Sequence, residues 1–531
     1  MEKLRLYANS VPITFNSWIA SFVGIVLVRA LLEQFSSFKP GEFILLNLSS
    51  LIHLSVFFLA STLSLMVILM FFAKTSLKEV SVICLWGSLF MWFAPIFDLF
   101  SGGVGGNAMS YVFLTGKELL FQSVTFFGGH LPSGVTHGMQ IEIIFAIIFC
   151  SVYVYTVTKN IFRALGAAIL FYSFLAFIGS ALSLIALLLP PQNGPVVSII
   201  QSIVSSHIIQ NNLDPNFTAT NQGLIELAFN KMMTGIGAMV AMLATFSLFF
   251  LGARKKLIAI LKNSRPERMF YFFLLGIFGA TLAYRAWFAN WIDVQSFILA
   301  IFALICGGMF SICQNDIQDE ATDAVSNKNR PLITKELSKN DLETASKIFL
   351  IFALLSAYAS SLYILFFTCL VLFIYFIYSN PPLRLKRFVL LSSGLLSLVC
   401  VSVVLGGFFL ISPSKIITAF PFSLLVAIFI FHVVLFNIKD IKDFEGDRAN
   451  GIKTIPTLLG LKKSKKLIAG VACFFFLLIP WYFHFSFLVI PSIITGLLFW
   501  YFINEENYKE WKAFVVYMIY LILIIGSMAF K

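Results

Sequence analysis

The chain has 531 residues, of which 59% are hydrophobic and 12% charged, with a mean hydropathy of +0.92. Soluble globular proteins carry about 25% charged residues and less than half apolar ones, so this composition excludes a soluble fold. The net charge of +12 does not indicate nucleic-acid binding, because most Lys and Arg residues fall between apolar segments on one side of the predicted array, as membrane topology requires.

Apolar runs of about 18–25 residues recur along the chain, each long enough to cross a hydrocarbon core of about 30 Å. They lack the alternation of barrel strands, and helices satisfy their backbone polar groups internally in lipid. The pattern predicts an all-α, multi-pass integral membrane protein with about fifteen transmembrane helices. Six spans are predicted at 15–33, 51–73, 80–100, 140–157, 165–189 and 231–252. Nine more are predicted at 269–288, 293–313, 347–363, 364–380, 388–411, 417–437, 467–483, 485–503 and 512–530.

A basic segment divides these two sets of spans. We therefore predict a six-helix membrane module at 1–252, a basic cytoplasmic linker at 253–268 and a nine-helix domain at 269–531. No motif within 1–252 indicates what that module does. Placing the N-terminus in the cytoplasm puts most Lys and Arg residues on the inner face, so the long charged loops of the C-terminal half are also predicted to be cytoplasmic.

Two of these inner loops carry the same spacing of acids, at i, i+3 and i+7. The spacing predicts that three carboxylates share one helix face, where like charges repel unless a cation neutralises them. Mg²⁺ binds through one or two carboxylates together with substrate phosphates, so two matched sets predict two metal-bound faces that grip one diphosphate. The first set is Asp316, Asp319 and Asp323, and the second is Asp440, Asp443 and Asp447.

Other interpretations of these loops are weaker. A single D-x-x-D in a charged loop is usually solvated, but its repetition after two spans on one side of the membrane is not expected by chance. An EF-hand beginning at Asp443 is excluded, because Arg448 and Thr454 stand where that loop needs Gly and Glu. Basic residues that can hold diphosphate oxygens, although each alone is an ordinary positive-inside anchor, are Arg330, Arg384, Lys386 and Lys453.

These segments resemble the motifs of the UbiA superfamily of membrane prenyltransferases. The segment 315–323 is similar to the first aspartate motif of that family, and 440–447, with 451–456 after it, is similar to the second. Tyr378 and Ser379 with Arg384 and Lys386 resemble its Tyr-Ser…Leu-Lys signature. The resemblance covers about half the chain and leaves out the six N-terminal spans.

The resemblance implies a Mg²⁺-dependent enzyme that transfers a polyprenyl group from an allylic prenyl diphosphate to a lipophilic acceptor within the membrane. It implies metal binding by Asn315, Asp316, Asp319, Asp323, Asp440, Asp443 and Asp447. It implies diphosphate binding by Arg330, Arg384, Lys386 and Lys453, and a catalytic set of Asp316, Asp319, Asp440, Asp443, Tyr378 and Lys386. Tyr378 is expected near the developing allylic cation. An aromatic quinone precursor, a tetrapyrrole and a glycerol lipid all remain open as acceptors.

Two other classes of function were weighed. A transporter or channel is expected to place charged residues inside its spans, and the predicted spans hold almost none, with His432 and Arg285 the nearest cases. A bifunctional protein, in which 1–252 binds or transports lipid beside a prenyltransferase-like domain, is compatible with the enzyme and stays open.

Overall fold

Helices make up the regular structure of the part of the chain that the computed structural model describes, namely residues 2–36, 48–100, 114–126, 135–189, 194–212, 222–283, 287–413, 416–449 and 451–529. Fourteen helices within these ranges are long and apolar enough to cross a membrane. The remaining predicted span, 269–288, overlaps the helix Pro266–Ala283, whose charged first turn keeps it outside the fourteen. The predicted fold class of an all-helical, multi-pass membrane protein is thus confirmed.

Contacts divide the chain into two compact units: Met1–Ser205 with Pro215–Arg254, and Ser206–Asp214 with Lys255–Lys531. The α-helices of the first unit are Glu2–Ser10, Phe15–Ser36, Leu48–Ala73, Leu77–Gly87, Phe93–Phe100, Gly116–Val124, His137–Thr158, Ile161–Gly179, Ala181–Leu187, Pro195–Ser205 and Gln222–Gly252. The α-helices of the second unit, one of which begins at Arg254 of the first unit, are His207–Asn212, Arg254–Lys262, Pro266–Ala283, Trp291–Gln318, Glu320–Ser326, Lys339–Ser360, Leu362–Ser379, Val389–Ile411, Phe422–Leu435, Asn437–Lys442, Phe444–Ala449, Ile455–Leu459, Leu461–Phe483, Val489–Asn504 and Glu510–Ala529. Short 3-10 helices lie at Ser88–Trp92, Leu385–Arg387, Ile417–Ala419 and Ser486–Leu488.

The first unit contains a buried ionic cluster within its spans. The Arg29 side chain is 1% exposed, and its Nη1 donates to the Glu33 carboxylate at 3.1 Å. Its Nη2 lies 3.8 Å from a Glu142 carboxylate oxygen. The prediction that the spans hold almost no charged groups is therefore wrong for this unit, because hydropathy averaged over a window hides single charges that neutralise one another. His432 is buried as expected, and Arg285 lies outside the described residues.

A buried aspartate explains why 206–214 folds with the second unit. The Asp293 carboxylate, fully buried, accepts hydrogen bonds from Ser206 Oγ at 2.6 Å, from Ile208 N at 2.9 Å and from Ala289 N at 2.8 Å. Buried backbone N–H groups need such acceptors, since an unpaired one costs about 1–3 kcal/mol. This carboxylate therefore ties a segment far away in sequence to the start of the helix Trp291–Gln318.

Replacing this carboxylate is expected to destabilise the second unit. Asp293→Ala leaves several buried donors unpaired and should lower the free energy of unfolding by about 3 kcal/mol or more. Asp293→Asn keeps one acceptor oxygen and should lower it less. The midpoint of thermal denaturation in detergent measures both, and equal midpoints for the alanine variant and the wild type would contradict this account.

Two helices of the second unit approach each other closely where glycines meet backbone. A Cβ on Gly279 would lie 1.9 Å from the carbonyl oxygen of Val404, and one on Gly407 would lie 2.0 Å from that of Gly276. Small residues let helices pack this closely in lipid. The contact fixes the helix Pro266–Ala283 against Val389–Ile411, and the first of these carries Arg268 and Tyr271 into the cavity described next.

Candidate active site

The first acidic motif, Asn315–Asp323, lies where the helix Trp291–Gln318 ends. Asp319 leaves the helical region, with φ −103° and ψ 13°, and a second helix begins at Glu320. The i to i−4 hydrogen bonds nevertheless continue on both sides, from Asp319 N to Asn315 O at 2.9 Å and from Asp323 N to Asp319 O at 2.8 Å. The motif therefore bends at its middle aspartate without losing its backbone bonds.

The second acidic motif, Asp440–Asp447, has the same construction. Asp443 separates the helices Asn437–Lys442 and Phe444–Ala449, with φ −87° and ψ 5°. The backbone hydrogen bonds continue through it, from Asp443 N to Lys439 O at 3.1 Å and from Asp447 N to Asp443 O at 2.9 Å. The helix is therefore interrupted at the middle aspartate of each motif, where the sequence predicted three carboxylates on one helix face. All three aspartates of the second motif nevertheless line one cavity, described next.

Both motifs open onto one cavity of about 200 Å³ in the second unit. The helices Glu320–Ser326 and Phe444–Ala449, one from each motif, pack against each other. The structure therefore brings together acids that are more than a hundred residues apart in the sequence. The aspartates that line the cavity are Asp319, Asp323, Asp440, Asp443 and Asp447.

Asp316 is placed differently from the other five aspartates. It is 2% exposed and does not line the cavity. Asn263 Nδ2 donates to its Oδ2 at 2.5 Å, and Arg265 Nη2 donates to its Oδ1 at 2.6 Å. Both carboxylate oxygens are thus already paired, so in this structure Asp316 anchors the segment before the helix Pro266–Ala283 beneath the first motif.

The predicted diphosphate-binding cations are divided between the cavity and its surroundings. Lys386 lines the cavity and donates to Asp319. Arg384 does not line the cavity, but its Nη2 donates hydrogen bonds to Asp319 Oδ1 at 3.3 Å and to the Gln318 carbonyl at 2.9 Å. Arg330 lines the cavity, with Nη1 donating to Asn263 Oδ1 at 3.0 Å. Lys453 is exposed and does not line the cavity, so its role stays a prediction.

The two uncharged predicted residues, Tyr378 and Asn315, also line the cavity. Ser379 Oγ donates to Asn315 Oδ1 at 3.2 Å, which orients the amide. The Tyr378 hydroxyl accepts a hydrogen bond from Lys439 Nζ, and this ammonium lies 5.0 Å from the ring centroid. The Lys439 ammonium therefore lies at the hydroxyl edge of the Tyr378 ring.

Several residues of the cavity were missed by sequence reasoning. Arg265 and Arg268, in the segment predicted to be a linker, line it, as do Lys439 and Glu510. Arg268 Nη2 donates to Glu510 Oε1 at 2.7 Å. The segment is held in place because Ala259 and Ile260 pack into a hydrophobic cluster with residues of neighbouring helices. The only signal for the three basic residues was their charge, which positive-inside bias explains equally well.

The second motif has fewer close ion pairs than the first, since its one pair in the described part of the chain joins Asp440 to Lys439 Nζ at 3.9 Å. Among the described residues, neither Asp443 nor Asp447 forms an ion pair, whereas Asp319 pairs with Lys386. Burial, together with the nearby carboxylates of Asp440 and Asp443, raises the pKa of Asp447 to about 7. Burial also raises the pKa of Asp323, although Asn327 and Arg330 oppose the shift. The cavity thus favours an added cation near the second motif.

Arg265 shows the opposite effect of burial. Burial, and next the positive charge of Arg268, lower its pKa to about 10. Its pairing with Asp316 acts against this shift. Even at that value the guanidinium is charged at neutral pH, so the ion pair that holds Asp316 persists.

The donor set fits Mg²⁺ shared with a phosphate ligand better than an all-protein metal site. Within the described residues, no three acidic, histidine or cysteine side chains converge closely enough to hold one ion alone. Mg²⁺ rarely uses such a cage and prefers one or two carboxylates with phosphate oxygens and water. The lysines and arginines around the same cavity provide charge for the phosphate oxygens.

A second, apolar cavity of about 110 Å³ adjoins the acidic one. The two share four lining residues, Met269, Phe272, Gly308 and Tyr375. Its other walls are mainly phenylalanine, leucine, valine and glycine side chains of the spans. An acidic chamber beside a hydrocarbon-lined one suits a molecule with a charged head and an apolar tail.

Fold and site together define a membrane-embedded helical domain with a cavity lined by two aspartate motifs and several basic residues. The model of the UbiA prenyltransferase family matches residues 269–523. The resemblance predicted from the motifs is therefore confirmed for the C-terminal half.

Curated relatives match a part of the chain. Probable homogentisate phytyltransferase 2, chloroplastic, from Oryza sativa subsp. japonica is 30% identical over 196 residues, which cover 34% of this chain and 50% of that protein. Homogentisate solanesyltransferase, chloroplastic, from Arabidopsis thaliana is 28% identical over 191 residues, which cover 34% and 49%. The chain thus spans about half the length of the curated relatives it matches.

Solved structures similar to this chain include a UbiA homolog from Archaeoglobus fulgidus bound to GPP and Mg²⁺, with a TM-score of 0.41 and 17% identity, covering 51% of this chain and 100% of that one. The apo structure of a UbiA homolog from Aeropyrum pernix K1 has a TM-score of 0.40 and 21% identity, covering 50% and 98%.

Proposed function

We propose that the C-terminal unit transfers a polyprenyl group from an allylic prenyl diphosphate to a lipophilic acceptor. The observation that carries this proposal is the meeting of both acidic motifs in one cavity, which shares lining residues with an apolar one. A diphosphate fits the charged chamber and a prenyl chain fits the hydrocarbon-lined one. The family match over residues 269–523 supports the same chemistry.

The residues that would hold Mg²⁺ are Asn315, Asp319 and Asp323 of the first motif and Asp440, Asp443 and Asp447 of the second. Asp316 is reached by Mg²⁺ only if Arg265 releases it, so we assign it a positioning role in the resting protein. The ions would supply charge neutralisation for the diphosphate as it becomes a leaving group.

In the reaction the bond between the allylic carbon and the diphosphate oxygen breaks, and its electron pair stays with the diphosphate. The acceptor then bonds to the allylic carbon and loses a proton. Lys386 and Arg330 face the cavity, where they stabilise the charge that grows on the leaving group. The ring of Tyr378, which lines the cavity, stabilises the allylic cation.

We infer that the acceptor is an aromatic ring of the quinone-precursor class. The names of the two curated relatives specify homogentisate, which favours this class over a tetrapyrrole or a glycerol lipid. The excess of Lys and Arg on one side of the predicted spans supports an orientation with the catalytic loops and the N-terminus in the cytoplasm.

The direct test incubates the purified full-length protein with labelled geranylgeranyl diphosphate, Mg²⁺ and a panel of acceptors. The panel contains homogentisate, a hydroxybenzoate, a chlorophyllide and geranylgeranylglyceryl phosphate. A labelled lipophilic product with homogentisate, absent when EDTA is added, is expected. Absence of product with every acceptor, or an EDTA-resistant product, would contradict the proposal.

Mg²⁺ binding is expected to depend on pH through Asp447. Because its pKa is raised to about 7, this carboxyl holds a proton at lower pH, and the metal has to displace that proton. Affinity for Mg²⁺ should therefore fall as the pH drops below 7, by up to about tenfold per unit. Calorimetry in buffers of different ionisation enthalpy measures the released proton.

Asp447→Asn should abolish this pH dependence near 7. Glu445→Gln is the matched control, because Glu445 is exposed and lies outside the cavity lining. An affinity that stays constant between pH 6 and pH 8 in the wild type would refute the role of Asp447.

A further inference from the structure

The N-terminal unit contains a larger cavity than either of those in the C-terminal unit, with a volume of about 400 Å³. Ligand pockets in proteins typically measure about 300–1,000 Å³. The walls are mainly apolar and rich in phenyl rings, among them Phe58, Phe90, Phe145 and Phe149. Such a cavity has the size and the apolar walls of a lipid-binding site.

Two polar side chains in the lining have atoms without a hydrogen-bond partner among the described residues. They are Arg29 Nε, whose side chain is 1% exposed, and Ser61 Oγ, on a residue that is 7% exposed. Ser61 lies one turn from Phe58, whose ring centroid is 4.6 Å from the Arg29 guanidinium carbon. Because a buried polar group without a partner is costly in an apolar setting, both atoms indicate a ligand that brings acceptor oxygens.

The charge around Arg29 decides what kind of oxygen the ligand carries. Two carboxyl groups already face the guanidinium, Glu33 at 3.1 Å and Glu142 at 3.8 Å. A carboxylate or phosphate would add a further negative charge to this cluster in a low-dielectric environment, where repulsion is strong. A ligand that fits this cavity is therefore expected to carry uncharged oxygens, as in a carbonyl, hydroxyl or ether group.

The aromatic walls decide the shape of the ligand. The Phe90 and Phe145 rings stack with centroids 5.9 Å apart, and a flat conjugated ring packs well against such faces. We propose that the N-terminal unit binds an uncharged lipid whose flat ring carries carbonyl or hydroxyl oxygens, which is the chemistry of quinones. This site is separate from the prenyl-transfer site and does not depend on it.

The proposal is tested by titrating the purified full-length protein in detergent with ubiquinone-1, using isothermal calorimetry. Ser61→Leu fills the space beside the unpaired hydroxyl and should weaken binding at least tenfold. Ser61→Ala removes one hydrogen bond and should weaken binding by about fivefold. Neither change removes a hydrogen bond within the protein, so the thermal midpoint without ligand should stay at the wild-type value.

Ser64→Ala is the matched control, because Ser64 is buried on the same helix and does not line the cavity. It should bind as the wild type does. Asp443→Asn should also leave ubiquinone-1 binding unchanged, which would show that this binding does not require the proposed metal ligands of the C-terminal unit. Palmitate, which has a comparable apolar mass and a carboxylate, should bind at least tenfold more weakly than ubiquinone-1.

Three results would overturn the proposal. They are the absence of ubiquinone-1 binding to the wild type, equal binding by the wild type and the folded Ser61→Leu variant, and palmitate binding as tight as that of ubiquinone-1. The first two remove the site, and the third removes the class of ligand assigned to it.

Discussion

Asp443→Asn is expected to lower the rate of prenyl transfer by at least about a hundredfold while leaving the protein folded. Asp443 faces the cavity and, within the described residues, has no ion pair that the change would break. Its loss therefore removes a carboxylate proposed to hold Mg²⁺ without disturbing the surrounding contacts. Steady-state assays at saturating prenyl diphosphate, repeated over a range of Mg²⁺ concentrations, measure the effect.

The control for this prediction comes from the same motif. Glu445→Gln makes the same chemical change two residues away, but Glu445 is exposed and points outside the cavity lining. It should keep at least half of the wild-type rate. If both variants lost the same activity, a general effect of charge in this segment would replace the proposed metal role.

Lys386→Met is expected to reduce kcat by about 10²–10³-fold with a smaller change in KM. The ammonium of Lys386 reaches the cavity beside Asp319, where it can stabilise charge that builds on the diphosphate only as the allylic bond breaks. An interaction made mainly in the transition state lowers kcat when it is removed. Arg384 still supports Asp319 at 3.3 Å in the variant, which limits structural damage.

Arg387→Met is the matched control, because Arg387 is the next cation along the chain, is exposed and does not line the cavity. Its kcat should stay within about twofold of the wild type. A Lys386→Met variant whose KM rises while its kcat is unchanged would show that the lysine contributes to substrate binding alone.

The membrane spans were predictable because a transmembrane helix is encoded by its own local hydropathy. Even the pair at 347–363 and 364–380, separated by almost no loop, appears as the helices Lys339–Ser360 and Leu362–Ser379. The break falls at Ser361, whose hydroxyl accepts from Ile364 N at 3.1 Å as an N-cap. A cap of this kind can be recognised in a sequence, but only once the break has been suspected.

The acidic motifs were also predictable, since the identity and spacing of their residues are local properties. Their environment was not. The pairing of Asp316 with Arg265 joins residues about fifty positions apart, and no periodicity encodes it. The same applies to Lys439, whose contact with Tyr378 depends on how two helices pack.

The ionic cluster of the N-terminal unit was missed for a different reason. Arg29 and Glu33 stand four residues apart on one helix, a spacing that allows an ion pair. Neutralised in this way, they interrupt an apolar run only slightly and leave its prediction as a span intact. The sequence does not indicate that Glu142 joins this cluster as its third member, or that a cavity lies beside it.

The central claim is that both acidic motifs hold one diphosphate through shared metal ions. It is tested most directly by electron–nuclear double resonance on Mn²⁺ bound to the full-length protein with a non-reactive prenyl thiolodiphosphate. We expect phosphorus hyperfine coupling to Mn²⁺ in the wild type and its loss in both Asp319→Asn and Asp443→Asn. Coupling that survives unchanged in either variant, or bound Mn²⁺ without phosphorus coupling, would contradict it.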